Sequence, residues 1–172
     1  MSTDTAGESR QRLSRETGTI TKDWGGRLPI ALIYPNSYYI GMSSLGIHAI
    51  YSLLNNYQNI VCERVFWDEK IKTQPATTLS IESQRPLPDF AALAFSISYE
   101  LDYFNVVKVL KASGIPLYAA DRDEKHPLVI AGGPCIIANP MPLSPFFDCL
   151  CIGEAEPILP AMLPVLSEGI KG

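Results

Sequence analysis

At 172 residues, 47% hydrophobic and 19% charged, with a formal net charge of -4, the chain has length for one well-buried core and not for two ordinary domains. It has no Lys/Arg cluster of the kind that neutralises phosphates, so nucleic-acid binding by this domain alone is not expected. No apolar run approaches the roughly 20 residues that span a bilayer, and MSTDTAGESRQRLSRETG holds no apolar signal stretch, so a cytoplasmic protein without a membrane partner is expected.

Residues 1 to 26 are polar and mixed in charge, with no hydrophobic period, which predicts a mobile N-terminal tail ahead of a domain over 27 to 172. From Leu28 onward, short apolar runs (IALIY, IVCERVF, ALAFSI, LVIA and CLCI) alternate with helix-like segments. That alternation is the signature of βαβ units and predicts five parallel strands.

The first strand breaks at Pro35 into the loop NSYYIGMSS, which in an open parallel sheet faces the ligand crevice beyond the carboxyl ends of the strands. The next segment, SSLGIHAIYSLLNN, puts Leu45, Ala49, Ile50, Leu53 and Leu54 at helical spacing, with Ser43 or Ser44 as N-cap. Residues 67 to 88 carry Pro75, Pro86 and Pro88, which predicts an irregular connection with one short helix near Thr77 to Glu82. A connection of that length is either a lid or a plain insertion.

The third strand leads into LDYFNVVKVLKASG, where Leu101, Phe104, Val107 and Leu110 share one predicted face and Gly114 is a suitable left-handed stop. The fourth ends in Gly132 and Gly133, where missing side chains serve either a tight turn or close approach to a flat ligand. After Gly153, Pro157 suits a first helical turn, whereas Pro160 and Pro164 are expected to shorten or kink the last helix.

Several residues are candidates for chemistry. Asn36, Tyr38 and Gly41 stand as N-x-Y-x-x-G; they either line a cofactor site with Ser37 and Ser43, or cap and pack the loop with Gly41 at positive φ. Glu154 and Glu156 read as caps of the last helix, with an acid and base pair as the alternative. His48 reads as a packed helix histidine. The four cysteines (Cys62, Cys135, Cys149 and Cys151) show no disulfide framework and are expected reduced; Cys149 and Cys151 share a strand face, as buried strand residues or as metal ligands.

PNSYYIGMSSLGIHAIYSLLN, FSISYELDYFNVVKVLKASGIPL, AGGPCIIANPMPLSPFFD and CIGEAE together resemble the N-terminal cobalamin-binding-like domain of a radical S-adenosylmethionine (radical SAM) protein family. The resemblance covers nearly everything after Leu28 and implies an α/β, flavodoxin-like (Rossmann-like) three-layer fold, with a five-stranded parallel sheet of order 2-1-3-4-5. It implies a cobalamin presented over the mouth of a downstream radical SAM barrel, or a degenerate docking and substrate-guiding module that holds no cofactor. The implied cofactor contacts are Asn36, Ser37, Tyr38, Gly41, Ser43, Ser96, Ser98, Gly132, Gly133, Pro134, Gly153 and Glu154.

Cobalamin domains of the mutase type carry D-x-H-x-x-G after the first strand, and Asn36 and Tyr38 replace that pair here, so no histidine is available below the cobalt. The C-x3-C-x2-C triplet that holds a radical SAM [4Fe-4S] cluster is absent from this sequence. The resemblance implies that cluster and S-adenosylmethionine lie in a downstream catalytic barrel, of methyl- or methylthio-transfer type, which is the expected partner. Flavodoxin and receiver functions are disfavoured: the first loop offers two bulky tyrosines in place of a hydroxyl-rich phosphate cradle, and Asn36 and Ser98 stand where a receiver needs acids.

Overall fold

A computed structural model describes residues 5–67 and 78–169. Five parallel strands form one sheet in the order β2-β1-β3-β4-β5: β1 (Leu28–Tyr34), β2 (Ile60–Phe66), β3 (Ala92–Ser96), β4 (Leu128–Gly132) and β5 (Cys149–Leu150). This is the predicted α/β three-layer fold. Helices α3 (Leu45–Asn55) and α6 (Ala155–Gly169) pack on one face and α4 (Tyr103–Ala112) on the other, with the short α2 (Tyr38–Met42) and α5 (Pro134–Ala138) at the carboxyl ends of β1 and β4. The crossovers leave β1 and β3 on opposite faces, which opens the crevice between these neighbouring strands.

Two cores follow from the alternation of side chains along each strand. Ala31, Ile33, Leu93, Phe95 and Val129 meet Val106, Val109 and Leu110 of α4. On the other face, Ile30, Leu32, Tyr34, Ile60 and Ile130 meet Ile47, Tyr51 and Leu54 of α3 and Leu159 and Leu163 of α6.

Helix phases differ from the predicted ones. Leu45, Leu101 and Phe104 were expected inward and are 86%, 82% and 71% exposed, while Ile47 and Val106 are fully buried. All three displaced residues sit at helix starts beside the strands' carboxyl ends, where no layer of the domain covers them. Helix α4 ends as expected, with Gly114 at φ 70°. Helix α6 runs 15 residues through Pro160 and Pro164. Pro157, Pro160 and Pro164 all lie on its exposed side, so carbonyls left without an N–H partner there are open to water.

The stretch expected as a mobile tail carries a helix, α1 (Thr5–Leu13), and then a strap with specific contacts. Lys22 Nζ donates to the carbonyls of Asn55, Tyr57 and Ile60 at 2.5–3.0 Å. Ile20 N–H donates to Tyr51 Oη, Trp24 Nε1 donates to Glu63, and the Trp24 ring meets Phe90 edge-on. The strap is polar because its bonds go to polar groups of α3, of the turn that follows it and of the free edge of β2. Asn55 satisfies Cys62 N and O on that edge, and Ile81 N and the Glu82 carboxylate satisfy Arg64 O and N. An edge strand whose outward groups are already bonded within the chain cannot recruit another strand.

Arg64 centres this edge. Its guanidinium is 2% exposed, with Nε 2.7 Å from Glu82 and Nη2 2.6 Å from Glu16, and it lies 4.5 Å over the Tyr51 ring. Burial pushes the Glu82 carboxyl up to about 7 against the pull of Arg64. Glu16 is desolvated too, but hydrogen bonds from Tyr38, Arg64 and Thr19 hold its carboxyl below the ordinary value.

The helix expected near Thr77 to Glu82 is absent over 78–82. Leu79 instead bridges Pro86 around a turn in which Gln84 takes φ 58°, and a 3-10 turn, Leu87–Asp89, follows. The backbone and carboxylate contacts of Ile81 and Glu82 to Arg64 hold this turn against the β2 edge. Thr77 and Pro75 lie outside the described residues.

Candidate functional site

The middle strand of the sheet makes the candidate site. In ALAFSIS, Leu93, Phe95 and Ile97 point to the α4 face, and the intervening Ala92, Ala94, Ser96 and Ser98 point to the α3/α6 face. Four small side chains in a row leave the helices propped away from the sheet. The result is an open cavity of about 610 Å³, within the usual range for small-molecule sites.

The cavity has an apolar end and a polar end because the strands are parallel and their loops all leave from one edge. Ile30, Leu32 and Ala94 with Ile130 form the floor, and Ile50, Leu54, Leu159 and Met162 form the helical walls. At the carboxyl edge the lining changes to Ser44, Ser96, Ser98, Gly132, Gly133, Pro134, Gly153, Glu154 and Glu156. Seven of the twelve residues singled out from the sequence (Ser96, Ser98, Gly132, Gly133, Pro134, Gly153 and Glu154) thus come together at this mouth.

The first loop lies elsewhere. Asn36 Nδ2 donates to Asp102 at 2.7 Å, and its Oδ1 accepts from Ser37 N–H. Tyr38 Oη donates to Glu16 at 2.7 Å, and burial together with that carboxylate raises its phenol to about 12. Ser43 Oγ bonds back to Tyr39 O, and the neighbouring Ser44 is the one that lines the cavity. Gly41 is helical and has no positive φ: an added Cβ would lie 2.3 Å from the Phe66 ring, so its missing side chain makes room for β2. His48 Nε2 pairs with Met42 O and does not line the cavity.

Gly133 is fixed by packing. At φ 106°, its Cβ would sit 2.7 Å from Ile97 O and 2.9 Å from Ile97 N, a clash with the backbone just past β3 that cannot relax. Gly132 has only ordinary contact with Cys151 and leaves open floor. Ser98 hydrogen-bonds the buried Tyr34 phenol, whose pKa burial raises, and this ties the mouth to β1. Asp148 accepts from Val129 N–H and from Arg122, pinning β5 to β4.

The family model for the N-terminal region of radical SAM proteins matches residues 46–171. The chain belongs to this family. A protein of Methanocaldococcus jannaschii, described only as uncharacterised, is 28% identical over 127 residues, which is 74% of this chain and 24% of the relative. The chain thus spans about a quarter of that relative's length.

Within the family's matched region lie β2 to β5, the small-residue row and the whole carboxyl edge after β3, while β1 precedes it. Sequence reading missed Asp102, a 2% exposed carboxylate between Asn36 and Asn105 whose Oδ2 has no partner among the described residues. Burial raises its pKa, and the two amides oppose the rise. It also missed Ala92 and Ala94, which the period-2 alternation of small residues could have flagged. Among the described residues no cluster of three or more His, Cys, Asp or Glu could hold a metal, and no helix is long and apolar enough to cross a membrane.

Proposed function

We propose that this domain binds cobalamin through its nucleotide tail and presents the corrin to a downstream radical SAM portion of the full-length protein. The observation that carries the reading is the two-ended cavity at the carboxyl edge of the sheet. A corrinoid tail has matching chemistry: a flat benzimidazole at its tip, then ribose and phosphate, then the amide-rimmed ring. The apolar floor suits the base, Ser96 and Ser98 suit the ribose and phosphate, and the carboxylates of Glu154 and Glu156 suit amide N–H donors of the corrin rim. When bound, cobalamin would supply a cobalt centre able to carry a one-carbon group.

No histidine lines this cavity, so the residues suit a base-off form without a protein imidazole below the metal. Exposed Tyr39, Leu45, Tyr99, Leu101, Phe104 and Met141 surround the same edge, an apolar rim suited to the downstream portion. That rim also favours a second reading, a docking module that carries no cofactor. The cluster and S-adenosylmethionine belong, in both readings, to the downstream portion.

Absorbance titration with hydroxocobalamin, followed by desalting, separates the two. Colour that stays with the protein and carries a base-off spectrum supports the cobalamin reading. Colour lost from both this chain and the full-length protein leaves the docking reading.

A further inference from the structure

The chemistry of the cavity's deep end bears on which corrinoid it accepts. Corrinoids differ in the lower base, which is a benzimidazole with an apolar edge in some and a purine with an exocyclic amino group in others. Below the level of Ser96, the side chains lining the cavity offer no nitrogen or oxygen: the floor is Ile30, Leu32, Ala94 and Ile130, and the walls there are Leu54, Leu159 and Met162. The backbone beneath them is committed to the β1–β3 and β3–β4 ladders. Cys151, the remaining heteroatom-bearing neighbour of Met162, is a sulfur donor whose partner at 3.9 Å is the Met162 thioether.

A buried amino group with no partner loses its hydrogen bonds to water and regains none, which weakens binding by roughly ten- to a hundred-fold. A dimethylbenzimidazole incurs no such loss at its apolar edge, and its methyl groups gain contact with the floor. We infer that the cavity selects cobamides with an apolar benzimidazole lower base against those with a purine base. This inference rests on the cobalamin reading above.

The test compares three ligands by isothermal titration on the same protein: cobalamin, the adenine-based cobamide, and cobinamide, which has no lower base. The expected order is cobalamin tightest, with the adenine form and cobinamide each weaker by about ten-fold or more. Ala94→Ser places one hydroxyl on the floor with minimal volume, and should narrow the gap between cobalamin and the adenine form several-fold. Equal affinity for cobalamin and the adenine form overturns the selectivity while leaving the cobalamin reading intact. Equal affinity for cobalamin and cobinamide places the tail outside the cavity and overturns it as well, as does an unchanged ratio in Ala94→Ser. No binding of any of the three overturns the cobalamin reading itself.

Discussion

Arg64→Met tests the reasoning about the β2 edge. Methionine fills much of the arginine's volume but leaves two carboxylates, Glu82 at 1% and Glu16 at 8% exposure, without their cation. Breaking a buried pair from one side costs about 3–5 kcal/mol, because the remaining charge stays desolvated. Glu82 keeps its bond from the residue 64 N–H, and Glu16 keeps those from Tyr38 and Thr19, so the lower half of that range is expected. At roughly 2–4 °C per kcal/mol for a chain of this size, the melting temperature should fall by about 6–16 °C. The decisive comparison is the triple variant Arg64→Met, Glu16→Gln, Glu82→Gln, in which no charge is stranded and most of the loss should return. Urea unfolding monitored by tryptophan fluorescence reads both variants. A single variant that costs less than about 1 kcal/mol, or a triple no more stable than the single, refutes the account.

Other consequences are as specific. Burial raises the folded pKa of Glu82 from the ordinary carboxylate value of 4.5 to about 7, so its ionisation weakens the fold as pH rises through that interval. Native protein should therefore lose stability relative to Glu82→Gln between those pH values and hold a constant difference above them; the opposite slope in pH-dependent urea melts would show a carboxylate stabilised by its pairing. Gly133→Ala meets Ile97 backbone at 2.7 Å and a φ of 106°, and should cost about 2–4 kcal/mol in the same assay, while Gly132→Ala should cost much less. Lys22→Met strands the carbonyls of Asn55, Tyr57 and Ile60 where α3 turns into β2 and should cost about 1–3 kcal/mol; an unchanged midpoint would mean that the strap does not hold this junction. Ala94→Phe fills the floor and should abolish cobalamin retention on desalting with little loss of stability; full retention would put the ligand elsewhere.

The sheet was legible because each strand is a short apolar run between turn signals, and a parallel strand buried on both faces needs no finer pattern. Gly114 was legible for a similar local reason, since a left-handed residue must end α4 there. Helix faces were harder. Leu45, Leu101 and Phe104 fit the helical period but sit at the carboxyl rim, so hydrophobicity marked a surface for something else as part of the core. The strap from Glu16 to Trp24 escaped notice because its contacts are Lys22 and Glu16 hydrogen bonds, with only Ile20 and Trp24 packed as apolar anchors.

The candidate site was legible at its mouth and not at its floor. Glycines and serines after strands announce themselves, which is how Ser96, Ser98, Gly132 and Gly133 were found. The cavity itself comes from missing volume at Ala92 and Ala94, whose only trace in the sequence is the period-2 alternation of small residues that continues through Ser96 and Ser98. The first loop left two readings open, a cofactor motif or a capped and packed turn, and the Asn36 and Tyr38 side chains bound to Asp102 and Glu16 are the packed arrangement.

The most direct measurement is a crystal structure of the protein soaked with hydroxocobalamin. The account predicts a benzimidazole between α3 and α6 over Ala94, and a corrin lying across the loops after β3, β4 and β5. A corrin bound elsewhere on the molecule, or a tail outside this cavity, would contradict it.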